Sequence, residues 1–354
     1  MPNLPVPRII LVIIIWLAGL GAGAQFGKVS ITFQQVQEHY DSFGTMSGLL
    51  VSLLSFLGVV LGLVAGLLGA RIGYRKLLLG GLWTGAAVSL LQTLMPPFNL
   101  MLAARLIEGI SHLAIVVAAP TLISAIAKPS QLGFAMTLWG TFFGVAFAAI
   151  AFVGPTLMAM GGLSTVFAAH GLYMATFATI LTLILPTIKE LAPGKAVPFG
   201  LPQYLRLHWT TYRSPFIAAA SAGWLPYTLS FVAMISVMPR FLADEHEKIV
   251  MTLIPLASIV TSLVLGVFLL RFIRPISVVV LGFGAGIAFL LAFLALPESP
   301  YIPVLLYAAL GLVQGASFAA VPDLNTEIDD RAKAYGAMAQ MGNLGNLLGT
   351  PIIL

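Results

Sequence analysis

The chain has 354 residues, of which 59% are hydrophobic and only 8% charged, with a mean hydropathy of +1.02. Soluble domains average about 45–50% apolar and about 25% charged residues, so this chain cannot coat a water-soluble body, and disorder, collagen and coiled coil are excluded with it. The absence of cysteine removes a disulfide framework, a thiolate metal site and cysteine catalysis. A net charge of +5 would suit nucleic acid only if the basic residues shared one surface, and they are instead scattered between long apolar runs.

A helix needs about 20 mostly apolar residues to cross a bilayer. Six segments meet that test in the first half: Ile9–Ala24 (extended towards Phe33), Met46–Gly69, Leu77–Leu94, Leu100–Ala127, Leu132–Met160 and Thr165–Leu185. Five follow: Pro215–Met238, Ile249–Leu270, Pro275–Leu296, Tyr301–Val321 and Ala334–Leu354. None shows the period-two alternation of barrel strands, and lipid offers backbone amides no partner, so the spans are predicted helices. Arg8, the apolar run and Ala22-Gly23-Ala24 before Gln25 imitate a cleaved signal peptide. The run continues into a longer segment, however, and is read as a retained helix.

Lys and Arg in short loops set orientation. A cytoplasmic N-terminus places Arg8, Arg71, Arg75, Lys76, Lys128, Lys189, Lys195, Arg206, Arg213, Arg271, Arg274, Arg331 and Lys333 inside. Those are thirteen of seventeen basic residues; Lys28, Arg105, Arg240 and Lys248 fall outside or within the membrane. The expectation is an integral protein of the cell (inner) membrane whose surroundings are the lipid bilayer. The basic balance is then topological, nucleic acid drops out as a partner, and no obligate protein partner is inferred.

The longest cytoplasmic polar interval, residues 189–214, holds Pro193-Gly194, Pro198 and Pro202 and reads as a linker. Its His208-Trp209 and Tyr212 suit a stretch lying on the membrane surface. It divides a six-helix bundle, residues 1–188, from a five-helix bundle, residues 215–354. An offset of about 202 residues carries Gly109 onto Gly311, His112 onto Gln314, Ala114 onto Ala316, Ala118 onto Ala320 and Pro120 onto Pro322. Duplicated bundles of this kind are one of the known transporter architectures.

The loop after span two runs from Gly66 through Arg71, Gly73, Arg75 and Lys76, and it resembles the Gly-x-x-x-Asp-Arg-x-Gly-Arg-Arg/Lys loop of the major facilitator superfamily. Ala70 stands where that family has Asp, which removes the carboxylate of its usual charge-relay lock. Arg105 and Gly109 match the family's Arg-x-x-x-Gly pattern in span four, and Gly154-Pro155 is a fragment of its antiporter motif. The nearest likeness is to the cyanate-permease-like and related small-anion branches. The resemblance implies an all-α polytopic membrane protein on a twelve-helix template. A twelfth helix is expected after Gly349-Thr350-Pro351, where this chain stops at Leu354.

Charge inside a membrane is rare because each group costs roughly 2.5–3.5 kcal/mol even on insertion scales. Arg105, Glu108 and His112 lie at i, i+3 and i+7 of span four, on one helical face. Two readings stand side by side: Arg105 binds an anionic group while Glu108 or His112 exchanges protons, or Arg105 and Glu108 form a structural pair and His112 is an interior polar group. Lys28 lies about 30 Å along its helix from Arg8, near enough to the headgroups to snorkel. The resemblance implies that spans one, four, seven and ten line a central cavity. Lys28, Gln25 and Arg105 would then face Trp224, Tyr227, Tyr307 and Gln314 across it, a setting for a small organic or inorganic anion. Glycines at packing spacings, Gly140, Gly144, Gly342, Gly345 and Gly349, suggest close helix contacts.

The acidic group Asp323, Glu327, Asp329 and Asp330 lacks a calcium-loop spacing and is expected to pair with Arg271, Arg274, Arg331 or Lys333. No Gly-x-Ser-x-Gly, His-Glu-x-x-His or phosphate-binding Gly-Lys-Ser/Thr sequence occurs, so neither an enzyme nor direct ATP coupling is expected, and no cofactor or metal. The expected function is secondary active transport of a small, anionic solute, driven by protons or another coupling ion. The alternatives are proton-coupled efflux of amphiphilic compounds and a non-transporting membrane sensor or partner protein.

Overall fold

The computed structural model describes residues 6–40, 46–186 and 200–353, and no strand occurs among them. Lys189, Lys195, Pro193-Gly194 and Pro198 lie outside the described residues, as do the side chains of Arg240 and Lys248.

The first bundle holds α1 (Arg8–Ser30), the short α2 (Phe33–His39), α3 (Leu49–Ile72), α4 (Tyr74–Gln92), α5 (Phe98–Ile126), α6 (Leu132–Gly140) and α7 (Phe142–Ile184). Helix α8 (Leu201–Arg213) leads to α9 (Ala219–Val237), α10 (Asp244–Thr261), the short α11 (Val267–Leu269), α12 (Pro275–Ala295), α13 (Tyr301–Leu324) and α14 (Ile328–Ile353). Among the described residues, seven stretches of helix are long and apolar enough by themselves to cross a membrane: Arg8–Ser30, Met46–Gly66, Phe98–Ile126, Phe142–Ile184, Ile249–Leu269, Pro275–Ala295 and Tyr301–Leu324.

Spans five and six of the sequence run together in α7, whose 43 residues would extend about 65 Å, twice a bilayer core. The chain turns back at Gly161-Gly162, where Gly162 takes φ 67°, ψ −156°, a conformation essentially reserved for glycine. Span five itself is broken once more at Thr141, between α6 and α7. Span eight carries a π-helical turn at Ser262–Gly266 between α10 and α11. Prolines 120, 155, 226, 255 and 322 sit inside helices, as membrane helices tolerate.

The two bundles meet through small residues. A Cβ on Gly62 or Gly66 of α3 would fall 2.7 Å from Gln340 or 2.9 Å from the Ala332 carbonyl of α14. One on Gly140 of α6 would fall 3.0 Å from the Gln314 carbonyl of α13. Gln314 itself donates from Nε2 to the Gly140 carbonyl at 2.8 Å. The duplicated glycines behave alike: Gly109 of α5 lies against α3 at Leu54 and Leu57, and Gly311 of α13 lies against α10 at Ser258. The acidic group pairs as expected in part, with Asp323 accepting from Arg274 at 3.0 Å and Asp330 from Lys333 at 2.7 Å.

Candidate functional site

The ionisable residues of the apolar spans converge inside the first bundle. Lys28 stands in the last turn of α1, where the helix C-terminus favours a cation. Arg105 and Glu108 stand one turn apart on α5, as their spacing requires. Lys28, Arg105 and Glu108 are all completely buried. Lys28 Nζ lies 2.5 Å from Glu108 Oε1, and Arg105 Nη1 lies 2.6 Å from Glu108 Oε2. Lys28 therefore does not reach towards the headgroups but turns into the bundle.

Two further helices complete the shell. From α4, Ser89 Oγ and Gln92 Oε1 accept from Lys28 at 2.8 and 2.7 Å, while Gln92 Nε2 donates to Glu108 Oε2 at 3.0 Å. From α7, His170 presents Nδ1 to Lys28 at 3.3 Å and Nε2 to the Gly21 carbonyl at 3.0 Å. A ring protonated at Nε2 satisfies both contacts. Phe167 places its face 5.0 Å from the Lys28 ammonium. Arg105 also donates from Nε to the Leu50 carbonyl at 2.6 Å and from Nη1 to the Gln25 carbonyl at 2.9 Å. Gln25 donates from its own side chain to Ser111 Oγ at 2.9 Å. His112 lies one turn further along α5, with Nδ1 2.9 Å from the Ala22 carbonyl and its ring edge-on to Phe26.

Of the residues singled out in the sequence, the structure thus unites Lys28, Gln25, Arg105, Glu108 and His112. Trp224, Tyr227 and Tyr307 form a separate aromatic row in the second bundle. Trp224 stacks on Tyr227 at 4.7 Å, Phe231 bridges to Tyr307, and the Tyr307 hydroxyl donates to the Phe231 carbonyl at 3.0 Å. Gln314 spans the two bundles through Gly140 and accepts from Ser258 at 3.3 Å. Among the described residues, no hydrogen bond or ring contact joins the aromatic row to the charged cluster. Ser89, Gln92 and His170 escaped the sequence reading. Their signal was available, since each is a polar residue within an otherwise apolar span.

The loop motif has a structural account residue by residue. Gly66 lets α14 approach, and its carbonyl accepts from the Tyr74 hydroxyl at 3.3 Å. Gly73 joins α3 to α4 at φ 92°, a left-handed conformation suited to glycine. Arg75 donates to the Leu185 and Thr182 carbonyls at 2.6 and 2.9 Å, closing the end of α7. Arg71 and Lys76 are exposed at the same turn.

The sequence profile of the Major Facilitator Superfamily matches residues 11–350. The chain belongs to this superfamily, and it is therefore an integral membrane transporter of the secondary class rather than an enzyme. The fold is shared with solved transporters of low sequence identity. The Escherichia coli fucose:proton symporter FucP superposes with a TM-score of 0.77 at 15% identity, covering 98% of this chain and 91% of that one. The human organic anion transporter MFSD10 superposes at 0.75 with 18% identity, covering 98% of this chain and 93% of that one. The proton:xylose symporter XylE superposes at 0.71 with 12% identity, covering 97% and 87%. Comparison with curated proteins finds no significant match.

Proposed function

We propose that this protein moves a small anion across the membrane by alternating access, coupled to protons. The observation that carries the reading is the charge count of the buried cluster: Lys28 and Arg105 share a single carboxylate, Glu108, with all three side chains out of solvent. An excess positive charge in a low-dielectric interior attracts an anion far more strongly than it would in water. MFSD10 is by its name an organic anion transporter, and FucP and XylE are proton symporters; they lend support to anion transport and to proton coupling respectively. Glu108 and His112 are the proposed proton-exchanging groups. Arg105, Lys28 and Gln25 are the proposed anion-binding residues, with Trp224, Tyr227, Tyr307 and Gln314 supplying the facing wall from the second bundle.

In this reading residues 1–188 and 215–354 are the two moving bodies, joined by residues 189–214. The loop carrying Gly66, Arg71, Gly73, Arg75 and Lys76 guides their rocking at the cytoplasmic face of the inner membrane, the side on which the N-terminus lies. The test is uptake of labelled anions into proteoliposomes under an imposed pH gradient. The expected result is anion flux that depends on the gradient and is lost in Arg105→Ala. Flux of cationic dyes in place of anions overturns the reading.

A further inference from the structure

Gln340 of α14 stands at the seam between the two bundles, where Gly62 of α3 approaches its main chain. Its side chain makes three contacts that together fix every hydrogen. The Val59 carbonyl, 2.5 Å away, can only accept, so the atom facing it is Nε2, and Oε1 then accepts from the Tyr212 hydroxyl at 2.6 Å. The second Nε2 hydrogen is left for His208 Nε2, 3.2 Å away on α8. His208 Nδ1 lies 2.9 Å from the Tyr204 carbonyl, again an acceptor only. Nδ1 therefore carries the ring proton, and Nε2 receives the hydrogen of Gln340. This arrangement exists only while the imidazole is neutral. Beside it, Leu207 is buried against Leu63 of α3 and Ala337 of α14, and Tyr204 donates to the Val60 carbonyl at 2.9 Å.

We infer that α8 is a clasp across the α3–α14 seam that acid releases, with His208 as the group that titrates. A proton on His208 Nε2 would set two N–H donors against each other. Gln340 cannot turn its amide to avoid this without setting Oε1 against the Val59 carbonyl. Imidazole is the side chain that ordinarily changes charge between about pH 5 and 8. His208 is half-buried, within reach of solvent protons. The other titratable groups beside it are Tyr204 and Tyr212 on α8, and both phenols hold their protons as hydrogen-bond donors. Arg206 and Arg213 are exposed on α8, and residues 56–63 of α3 and 336–344 of α14 contain no ionisable side chain. The clasped state thus requires neutral His208, and the released state admits the charged one. The clasp holds above the imidazole range and is lost as pH falls through it. Nothing in it depends on what the protein carries.

The test places a thiol under the clasp by Ala337→Cys, in a chain with no other cysteine. Ala337 is fully buried, so a water-soluble thiol reagent reaches this position only when the clasp opens. The purified full chain in detergent is labelled at about pH 8 and about pH 5.5, once with His208 and once with His208→Gln, which offers Gln340 an acceptor and takes no proton. The ratio of the two rates at each pH cancels the reagent's own dependence on thiolate. The ratio is expected to lie near one at the higher pH. At the lower pH the chain with His208 is expected to label about fivefold faster or more, the scale of one hydrogen bond exchanged for an unpaired donor. In a Gln340→Leu background this difference is expected to vanish. Thr211→Cys, fully buried on α8 itself, supplies the thiol should Ala337→Cys not fold. A ratio that does not change with pH overturns the acid release, and so does a pH-dependent ratio that survives Gln340→Leu.

Discussion

Glu108 holds Lys28 at 2.5 Å through Oε1 and Arg105 at 2.6 Å through Oε2, so one carboxylate secures two cations from different helices. The two cations are therefore not equivalent to the anion in what their loss does. Removing Glu108 leaves two buried positive charges facing each other, and breaking a buried pair in this way costs about 3–5 kcal/mol. Removing Lys28 leaves the Arg105–Glu108 pair, which is neutral as a unit. Glu108→Gln is expected to lower the thermal unfolding midpoint well below that of Lys28→Met, both measured in the same detergent. A Lys28→Met variant as unstable as Glu108→Gln refutes this charge count.

The approach of α3 to α14 depends on glycine. The site for a Cβ on Gly66 is 2.9 Å from the Ala332 carbonyl, and backbone there cannot move aside as a flexible side chain does. Gly66→Leu is expected to push the two bundles apart at this end while each keeps its own core. Distances between spin labels, one on α3 and one on α14, would lengthen at this contact relative to the unsubstituted protein. An unchanged distance distribution would show that the contact yields without separating the bundles.

Arg75 and Gly73 stabilise the same corner by different means. Arg75 satisfies two terminal carbonyls of α7, and Gly73 takes φ 92° at the α3–α4 join. Arg75→Ala is expected to cost about 1–2 kcal/mol, the scale of hydrogen bonds from a charged donor. Gly73→Ala is expected to cost about 1 kcal/mol or more through backbone strain alone. Unfolding midpoints of the single and double variants check both, and a double-variant loss that departs from the sum of the two is expected, because the residues lie two positions apart at one corner and share its backbone.

Hydropathy made the helices legible because a bilayer leaves few alternatives: α1, α3, α4, α5, α12 and α13 begin and end within a few residues of the apolar runs. The interruptions were harder to see. Nothing in an apolar run marks Thr141, where α6 gives way to α7, or the π-turn at Ser262–Gly266, because hydrogen-bond register is set by packing between helices. The Arg105–Glu108 spacing was visible on one helix. That Lys28 joins them, and that Ser89, Gln92 and His170 close the shell, depends on how α1, α4, α5 and α7 turn about their axes. A period count gives a face of one helix and cannot say which neighbour that face meets.

Helix α8 shows two faces, which gives the last prediction. Tyr204 donates to the Val60 carbonyl at 2.9 Å, and Tyr212 donates to Gln340 Oε1 at 2.6 Å, so one face binds α3 of the first bundle and α14 of the second. Gln340 in turn donates to the Val59 carbonyl at 2.5 Å. Burial holds the Tyr212 phenol above the ordinary tyrosine range, so it keeps the proton it gives to Gln340 at physiological pH. On the other face Leu201, Leu205 and Trp209 are exposed at successive turns, with Arg213 over the Trp209 ring. Apolar residues at i, i+4 and i+8 beside a basic one suit the boundary between headgroups and acyl chains. In a variant whose one tryptophan is Trp209, its fluorescence is expected to be quenched by lipids brominated near the headgroup more than by lipids brominated at the chain ends. Quenching by a water-soluble acrylamide alone would place this face in solvent and remove the membrane from its account.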